Sequence, residues 1–235
     1  MSSPNIAADS EWPRRGIPRA IEAGLAALAL VMCSPLVGVI ALAVRLASAG
    51  PVLFRQRRVG RNGAQFTLLK FRTMRVNQDP PGATAYGDTR ITRLGRWLRL
   101  LKLDELPELW NVIRGDMSLV GSRPEVPGYV DLSNPAWRDV LRDRPGITDP
   151  VTLQLRNEEQ LMRHAPGNPE AFYRQVLQPY KLAGYLDYQK RRSITADVAV
   201  LLRTLGAVLV PAAAPPPSID TIRAAARHYH DRVVK

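Results

Sequence analysis

At 235 residues, 46% of them hydrophobic, the chain is long enough for one ordinary domain with appendages and apolar enough to bury a core. Lys and Arg number 33 against 21 acidic residues, and the net charge of +12 favours anionic partners (nucleic acid, anionic lipid headgroups or phosphorylated small molecules) without choosing among them. The sole cysteine, Cys33, excludes an intramolecular disulfide, and three scattered His with no Cys/His cluster argue against a structural zinc.

Residues 1–18 are polar, contain Pro4, Pro13 and Pro18, and read as a flexible arm. From Ala23 to Val44 no residue is charged. That run is long enough to cross a bilayer core, which takes about 20 apolar residues as a helix. It is too long and begins too late for a cleaved signal peptide. Ser34-Pro35 interrupts its middle, where proline removes a backbone hydrogen bond and clashes with the preceding turn. Both flanks are basic, with Arg14, Arg15 and Arg19 before and Arg45, Arg55, Arg57 and Arg58 after, whereas a spanning helix carries its Lys/Arg bias on one side. The expected element over 19–50 is therefore re-entrant, a helix that enters, breaks and returns, with Ser34 available to a carbonyl freed at the bend. A kinked but fully spanning helix is the plainer alternative.

Two β-prone runs, 51–60 and 64–74, are separated by Arg61-Asn62-Gly63, and Asn-Gly between such runs signals a hairpin because both residues tolerate positive φ. Residues 77–89, with Pro80-Pro81-Gly82, read as a mobile loop. A helix over 92–101 has a basic face of Arg93, Arg96, Arg99 and Lys102, and a short helix is expected to begin near Asp104. Residues 115–128 read as an ordered loop. Asn134-Pro135 has the form of an N-cap followed by proline at the first helical position, opening a helix to about Arg142. Residues 144–150 return to turn chemistry. A helix over 168–190, broken at Pro179, is followed by one over 197–210 with Val198, Leu201, Leu202, Leu205, Val208 and Leu209 on one side; that stripe suits a core or a membrane surface, and a core is the commoner case. Pro211–Pro217 forms a stiff linker, and Ser218 caps a short tail helix. The expected class is mixed α/β, mainly helical with a small β-hairpin. The segments are the arm 1–18, the membrane element 19–50, a catalytic domain with membrane-surface helices over 51–210, and a linker and tail over 211–235.

Asp104-Glu105 opens the segment LDELPELWNVIRGDMSLVG. An Asp at a helix start commonly serves only as a cap. Here the surroundings differ: Lys70 and Arg72 come from the hairpin, Arg99 and Lys102 precede the pair, and Arg114, Arg123 and Arg144 follow. Adjacent carboxylates among many cations suit magnesium-assisted phosphoryl transfer, the acids holding the ion or attacking phosphorus and the cations offsetting phosphate charge. Each arginine taken singly is more often a solvated surface residue.

The strings KFRTM (70–74), LDELPELWNVIRGDMSLVGSRPEVP (103–127) and RPGIT (144–148) resemble the bacterial sugar transferase family, the monotopic phosphoglycosyl transferases that initiate polysaccharide and glycoconjugate assembly. The resemblance runs from Ser34-Pro35 to the apolar helix near Thr204. It implies that Asp104 is the nucleophile, that Glu105 assists phosphoryl transfer, that the pair binds Mg2+, and that Arg99 helps hold phosphate, with Lys70, Arg72, Arg114, Arg123, Pro124 and Arg144 as further substrate contacts. It also implies a break at Ser34-Pro35 that confines the protein to one leaflet of the bacterial inner membrane, facing the cytoplasm. The implied partners are a UDP-sugar and polyprenyl (undecaprenyl) phosphate, not nucleic acid; a homodimer is left open. Two departures bear on substrate identity: Gly121-Ser122-Arg123-Pro124 where the family usually reads GPRP, and Asp149-Pro150 where it usually has Gly. Two rivals remain, an inactive scaffold of the same fold and a membrane-tethered nucleic-acid binder, the latter lacking interleaved aromatics and any reader motif. The tail after Val210 is expected to be dispensable for the chemical step.

Overall fold

The structure, a computed structural model, describes residues 16–76, 90–156, 158–163, 168–209 and 217–233. Helices α1 (Arg19–Met32) and α2 (Ser34–Ala47) meet at Cys33 with a bend of 62°. Pro35 lies in the first turn of α2, where its missing N–H costs least, and the Ser34 hydroxyl donates to Val31 O at 2.7 Å, one of the carbonyls the break leaves over. Among the described residues no single helix is long and apolar enough to cross a membrane, whereas the bent pair together has the length and composition. The outer parts of both helices expose Leu28, Val31, Met32, Leu36, Val39, Leu42 and Leu46.

The base of α1, by contrast, is built into the protein. Ala26 is fully buried, and the buried Glu22 carboxylate accepts from Leu119 N at 3.1 Å. Arg19 donates to Val112 O and, at 3.0 Å, to Ile113 O, carbonyls that the last turn of a helix leaves without intrahelical partners. The hairpin therefore stands on the rest of the chain as a fixed post.

Strands β1 (Leu53–Val59) and β2 (Gln65–Phe71) pair antiparallel, with Leu53 opposite Phe71 and Val59 opposite Gln65. The turn between them uses Asn62 at φ 56° and Gly63 at φ 77°, as the Asn-Gly signal predicts. Thr92 accepts from Gly95 N and caps α3 (Arg93–Leu100); a short 3-10 turn over Leu103–Glu105 leads into α4 (Glu108–Arg114). Residues 77–89, expected to be a mobile loop, lie outside the described residues.

Two segments expected to be loop and turn form a second sheet instead: β3 (Ser118–Val120) and β4 (Gly146–Thr148) pair in parallel, Ser118 opposite Gly146 and Val120 opposite Thr148. Glycine is needed where they meet, because a Cβ on Gly146 would lie 2.1 Å from Gly121 N. Asn134 caps α5 (Pro135–Val140) by accepting from Ala136 N, with proline at the helix start, as predicted. Asp149 caps α6 (Pro150–Gln154), which the sequence reading placed in a turn.

After α7 (Glu158–Arg163) comes α8 (Pro169–Phe172), joined to α9 (Gln178–Arg191) by a π-helical stretch over Tyr173–Leu177. The irregularity expected at Pro179 is thus a widened turn just before it rather than a break. On α10 (Ile194–Leu209) Val198, Leu202 and Leu205 are exposed, and of the stripe Leu201 packs against the core. Finally α11 (Ile219–Val233) buries Ile222 and Tyr229 with Trp137, Leu177 and Tyr185, and buries Ala226 as well. Separate clusters fill the space between α1, β2, α4 and β3 (Ala26, Leu68, Val112, Met117, Val120) and the junction of α2 with β2 and α3 (Ile40, Val44, Phe71, Leu98). The result is a mixed α/β fold, mostly helical with small sheets.

Candidate active site

Lys70 lies near the end of β2, and α4 is docked onto that strand by one side chain. Asn111 accepts from Leu69 N at 3.1 Å and donates to Thr67 O at 2.8 Å, filling backbone valences of β2 that no strand partner takes. This docking carries Glu108 to the Lys70 ammonium, 3.2 Å away. At the other end of the approach, Lys102 adopts φ 57°, the left-handed region that a long side chain rarely enters, and so turns the chain sharply from α3 into the 3-10 turn that bears Asp104 and Glu105.

Glu105 Oε1 accepts from Lys70 Nζ at 2.9 Å and from Arg123 Nη2 at 2.6 Å. Arg123 is delivered by the segment after β3, whose path is fixed where Arg58 donates to Pro124 O at 2.9 Å and Val59 N donates to Glu125 O at 2.8 Å. Burial works to raise the Glu105 carboxyl, but Arg123, Lys70 and Lys102 together outweigh it and hold Glu105 well below the usual carboxylate range. Arg123, in turn, is held firmly charged by Glu105.

Asp104 is in the opposite situation. It is buried, its Oδ1 has no hydrogen-bond partner, and burial pushes its carboxyl up in spite of Lys70, Lys102 and Arg99 nearby, with Glu105 adding to the rise. Glu108 is raised as well, first by burial, and its Oε1 lacks hydrogen-bond geometry although Lys70 is close. Burial lowers Lys102. A buried carboxylate oxygen without a partner is uncommon and marks a place where something else binds or reacts.

All of this opens on one cleft of about 1760 Å³, walled by Lys70, Arg72, Arg99, Lys102, Asp104, Glu105, Arg123 and Pro124. Of the residues singled out from sequence, Arg114 and Arg144 do not line it. Arg114 is exposed and pairs with Asp116 at 3.5 Å, and Arg144 donates to Gly115 O at 2.8 Å, closing the end of α4. Arg72 does line it, but one end of its guanidinium is tied to Ser48. Lys102, which the sequence places beside Arg99 among the cations around the pair, lines the cleft. Glu108 had no signal in the sequence beyond its place in the same short segment. Among the described residues no group of three or more His, Cys, Asp or Glu side chains converges as a metal site.

The bacterial sugar transferase family profile matches residues 13–211. The chain belongs to the bacterial sugar transferase family. It is 38% identical over 197 residues to the UDP-glucose:undecaprenyl-phosphate glucose-1-phosphate transferase of Caulobacter vibrioides, a match covering 81% of this chain and 69% of that one. It is 46% identical over 205 residues to the undecaprenyl-phosphate glucose phosphotransferase of Komagataeibacter xylinus, covering 83% of this chain and 36% of that longer protein. The exopolysaccharide production protein ExoY of Sinorhizobium fredii is 33% identical over 207 residues, covering 81% of this chain and 84% of ExoY. This bacterial sugar transferase thus spans about a third of the Komagataeibacter relative and most of the length of ExoY.

Proposed function

We propose that this bacterial sugar transferase moves a sugar 1-phosphate from a UDP-sugar to undecaprenyl phosphate in two displacements, with Asp104 as the nucleophile, at the cytoplasmic face of the inner membrane. The observation that carries the reading is the contrast between the two adjacent acids. Asp104 keeps an unpartnered, buried carboxylate oxygen on the cleft wall, while Glu105 is neutralised by Lys70 and Arg123. The relatives from Caulobacter and Komagataeibacter, named for the same kind of transfer to undecaprenyl phosphate, support it.

In the first displacement a carboxylate oxygen of Asp104 forms a bond to the sugar-bearing phosphorus as the phosphoanhydride bond to UMP breaks. In the second, a phosphate oxygen of the acceptor bonds to that phosphorus, and the bond to Asp104 breaks, restoring the carboxylate. Neither step requires a proton, because each nucleophile and each leaving group is an anion. Glu105 accordingly acts as an anion that spaces Lys70 and Arg123 around the phosphate, not as a general acid. Their charge, with that of Arg99 and Lys102, offsets what develops on phosphorus oxygens in a cleft partly shielded from water. A covalent intermediate spares the enzyme from bringing two phosphorylated substrates together at once.

Magnesium fits the donor set present. Such an ion takes one or two carboxylates and completes its shell with substrate phosphate and water, and Asp104 offers a buried, unpartnered oxygen with Glu105 beside it. Those two residues would hold it, and it would neutralise diphosphate charge.

The test is a donor-only incubation. Enzyme and UDP-sugar without acceptor should release about one UMP per active site, a covalent burst, and peptide mass spectrometry should find the phosphosugar on Asp104. Asp104→Asn should abolish both; UMP release that strictly needs the lipid acceptor would rule out the covalent route.

A further inference from the structure

Arg72 is the least explained cation of the cleft. Its side chain is buried, 5% exposed, at the junction where α2 meets β2. One nitrogen, Nη2, is fully used: it donates to Ser48 O at 2.6 Å, to Ser48 Oγ at 3.0 Å and to Val44 O at 3.4 Å, closing the last turn of α2. The other two, Nε and Nη1, are buried and have no hydrogen-bond partner. Among the described residues no carboxylate pairs with this guanidinium. A buried, permanently charged group with two idle donors is costly unless an anion completes it. The backbone makes room for the guanidinium itself: Gly50, at φ 120°, stands where a Cβ would lie 2.3 Å from Nη1.

The position of the idle donors narrows what that anion is. Arg72 lines the cleft alongside Arg75, Arg96 and Arg99, cations of β2's continuation and of α3, so the site takes an anion of more than one charge. It also sits at the foot of the helix pair whose outer half is apolar and exposed, where Val44 and Ser48 end α2. A ligand whose apolar tail lies along that hairpin has Arg72 at its foot. Lys70 and Arg123, by contrast, are already held by Glu105.

We propose that Arg72 is the phosphate-binding residue of the acceptor: Nε and Nη1 take the phosphate monoester of the lipid substrate and aim one of its oxygens at the phosphorus carried on Asp104. This rests on the two-displacement reading above. Its chemistry is that of the second step, in which an acceptor oxygen–phosphorus bond forms, the phosphorus–Asp104 bond breaks and the carboxylate returns. Because Nη2 is anchored to the end of α2, the acceptor site is held in register with the membrane-facing hairpin rather than with the donor site.

The experiment separates the two substrates by their KM values in detergent–phospholipid micelles, with UDP-sugar and undecaprenyl phosphate varied in turn. Arg72→Lys keeps the charge and loses the fork, and Arg72→Gln loses both. Each should raise the KM for undecaprenyl phosphate by about tenfold or more, as expected for a charge-assisted hydrogen bond, while the KM for UDP-sugar moves by less than about threefold. In the wild type, which needs no substitution to fold, inorganic phosphate should compete with undecaprenyl phosphate and not with UDP-sugar. That pattern identifies the phosphate group, not the lipid chain, as what Arg72 holds. An equal rise in both KM values, an unmoved acceptor KM, or the absence of competition by inorganic phosphate would overturn the assignment. A wild-type enzyme that releases no UMP from any UDP-sugar would instead overturn the function itself.

Discussion

Asp104 and Glu105 are neighbours in the chain, yet their surroundings drive them apart: burial raises the first, and Arg123 with Lys70 and Lys102 lowers the second against its own burial. The sequence made the pair visible through the density of cations around it, but not this division, which depends on which carboxylate the 3-10 turn aims at Lys70 and Arg123. Two predictions belong here. An acid with a raised pKa in the folded chain contributes stability that is present below its unfolded pKa and lost as pH rises through the folded one. At neutral pH the wild type therefore bears the cost of a buried, unpartnered carboxylate that Asp104→Asn removes. The variant, though inactive, should melt higher by about 2–5 °C in scanning calorimetry, and its advantage should shrink as the pH is lowered towards the range where Asp104 protonates. A lower melting temperature at neutral pH would show that the carboxylate is instead fully compensated. Glu105→Gln should behave in the reverse way. It leaves Arg123 without its carboxylate partner and Lys70 with Glu108 alone, so denaturant unfolding should show a loss of about 3 kcal/mol. UMP release should also slow by about 10²-fold or more as the cations lose their spacing. A stable Glu105→Gln enzyme at full rate would remove Glu105 from the site.

At the scale of elements, what could be read in advance was whatever is encoded within a few residues. Asn62-Gly63 specifies its turn through positive φ, Asn134-Pro135 its helix start, and Ser34-Pro35 the bend, each by local chemistry. The β3–β4 pair was not legible, because a three-residue parallel strand has no period to detect and its partner comes from a distant segment. What looked like turn residues, Gly121 and Gly146, are there to let two backbones touch. The stripe on α10 was ambiguous for a related reason: a periodic apolar face looks the same whether it meets a core or a lipid surface, and Val198, Leu202 and Leu205 are exposed. Together with the bare apolar faces of α1 and α2 they favour a membrane-bound molecule, and the topology can be tested at the bend. Single cysteines at Ser10 and Ala64, in a Cys33→Ser background, should both react with a membrane-impermeant reagent only from the cytoplasmic side. With Pro35→Leu the two helices could join into one, because the N–H that proline lacks would be restored at the break, and a fraction of molecules should show the two sites on opposite sides. Opposite labelling in the parent chain would mean that the pair spans the bilayer.

For the whole molecule the instructive element is α11. The family match ends at residue 211, and the proline-rich stretch that follows reads as a linker to something dispensable. The described part of that tail is nevertheless continuous with the largest core cluster: Ile222 is fully buried, Ala226 and Tyr229 are nearly so, and Ile222 and Tyr229 pack in the cluster that holds Leu177 and Tyr185. Tyr185 lines the cleft from the same helix as Lys181, whose ammonium lies 2.9 Å from Glu158 and 3.5 Å from Glu125. The tail thus packs behind a helix that lines the cleft. Ile222→Ala should cost about 2–4 kcal/mol, the transfer term plus a cavity that helices on several sides can only partly close. Removing everything after Val210 should cost more, since it exposes the apolar faces of α9 and α5 at once, and the truncated chain should aggregate or unfold at temperatures the full chain survives. No described residue of α11 lines the cleft on which Asp104 and its cations open. UMP release by whatever fraction of the truncated protein remains folded, measured at low temperature and normalised to burst amplitude, should therefore stay within about threefold of the full chain, well short of the 10²-fold expected on loss of a catalytic group. A truncated protein with an unchanged melting temperature would show that α11 merely rests on the core. A truncated protein that is folded but gives no burst would place the tail in the active site.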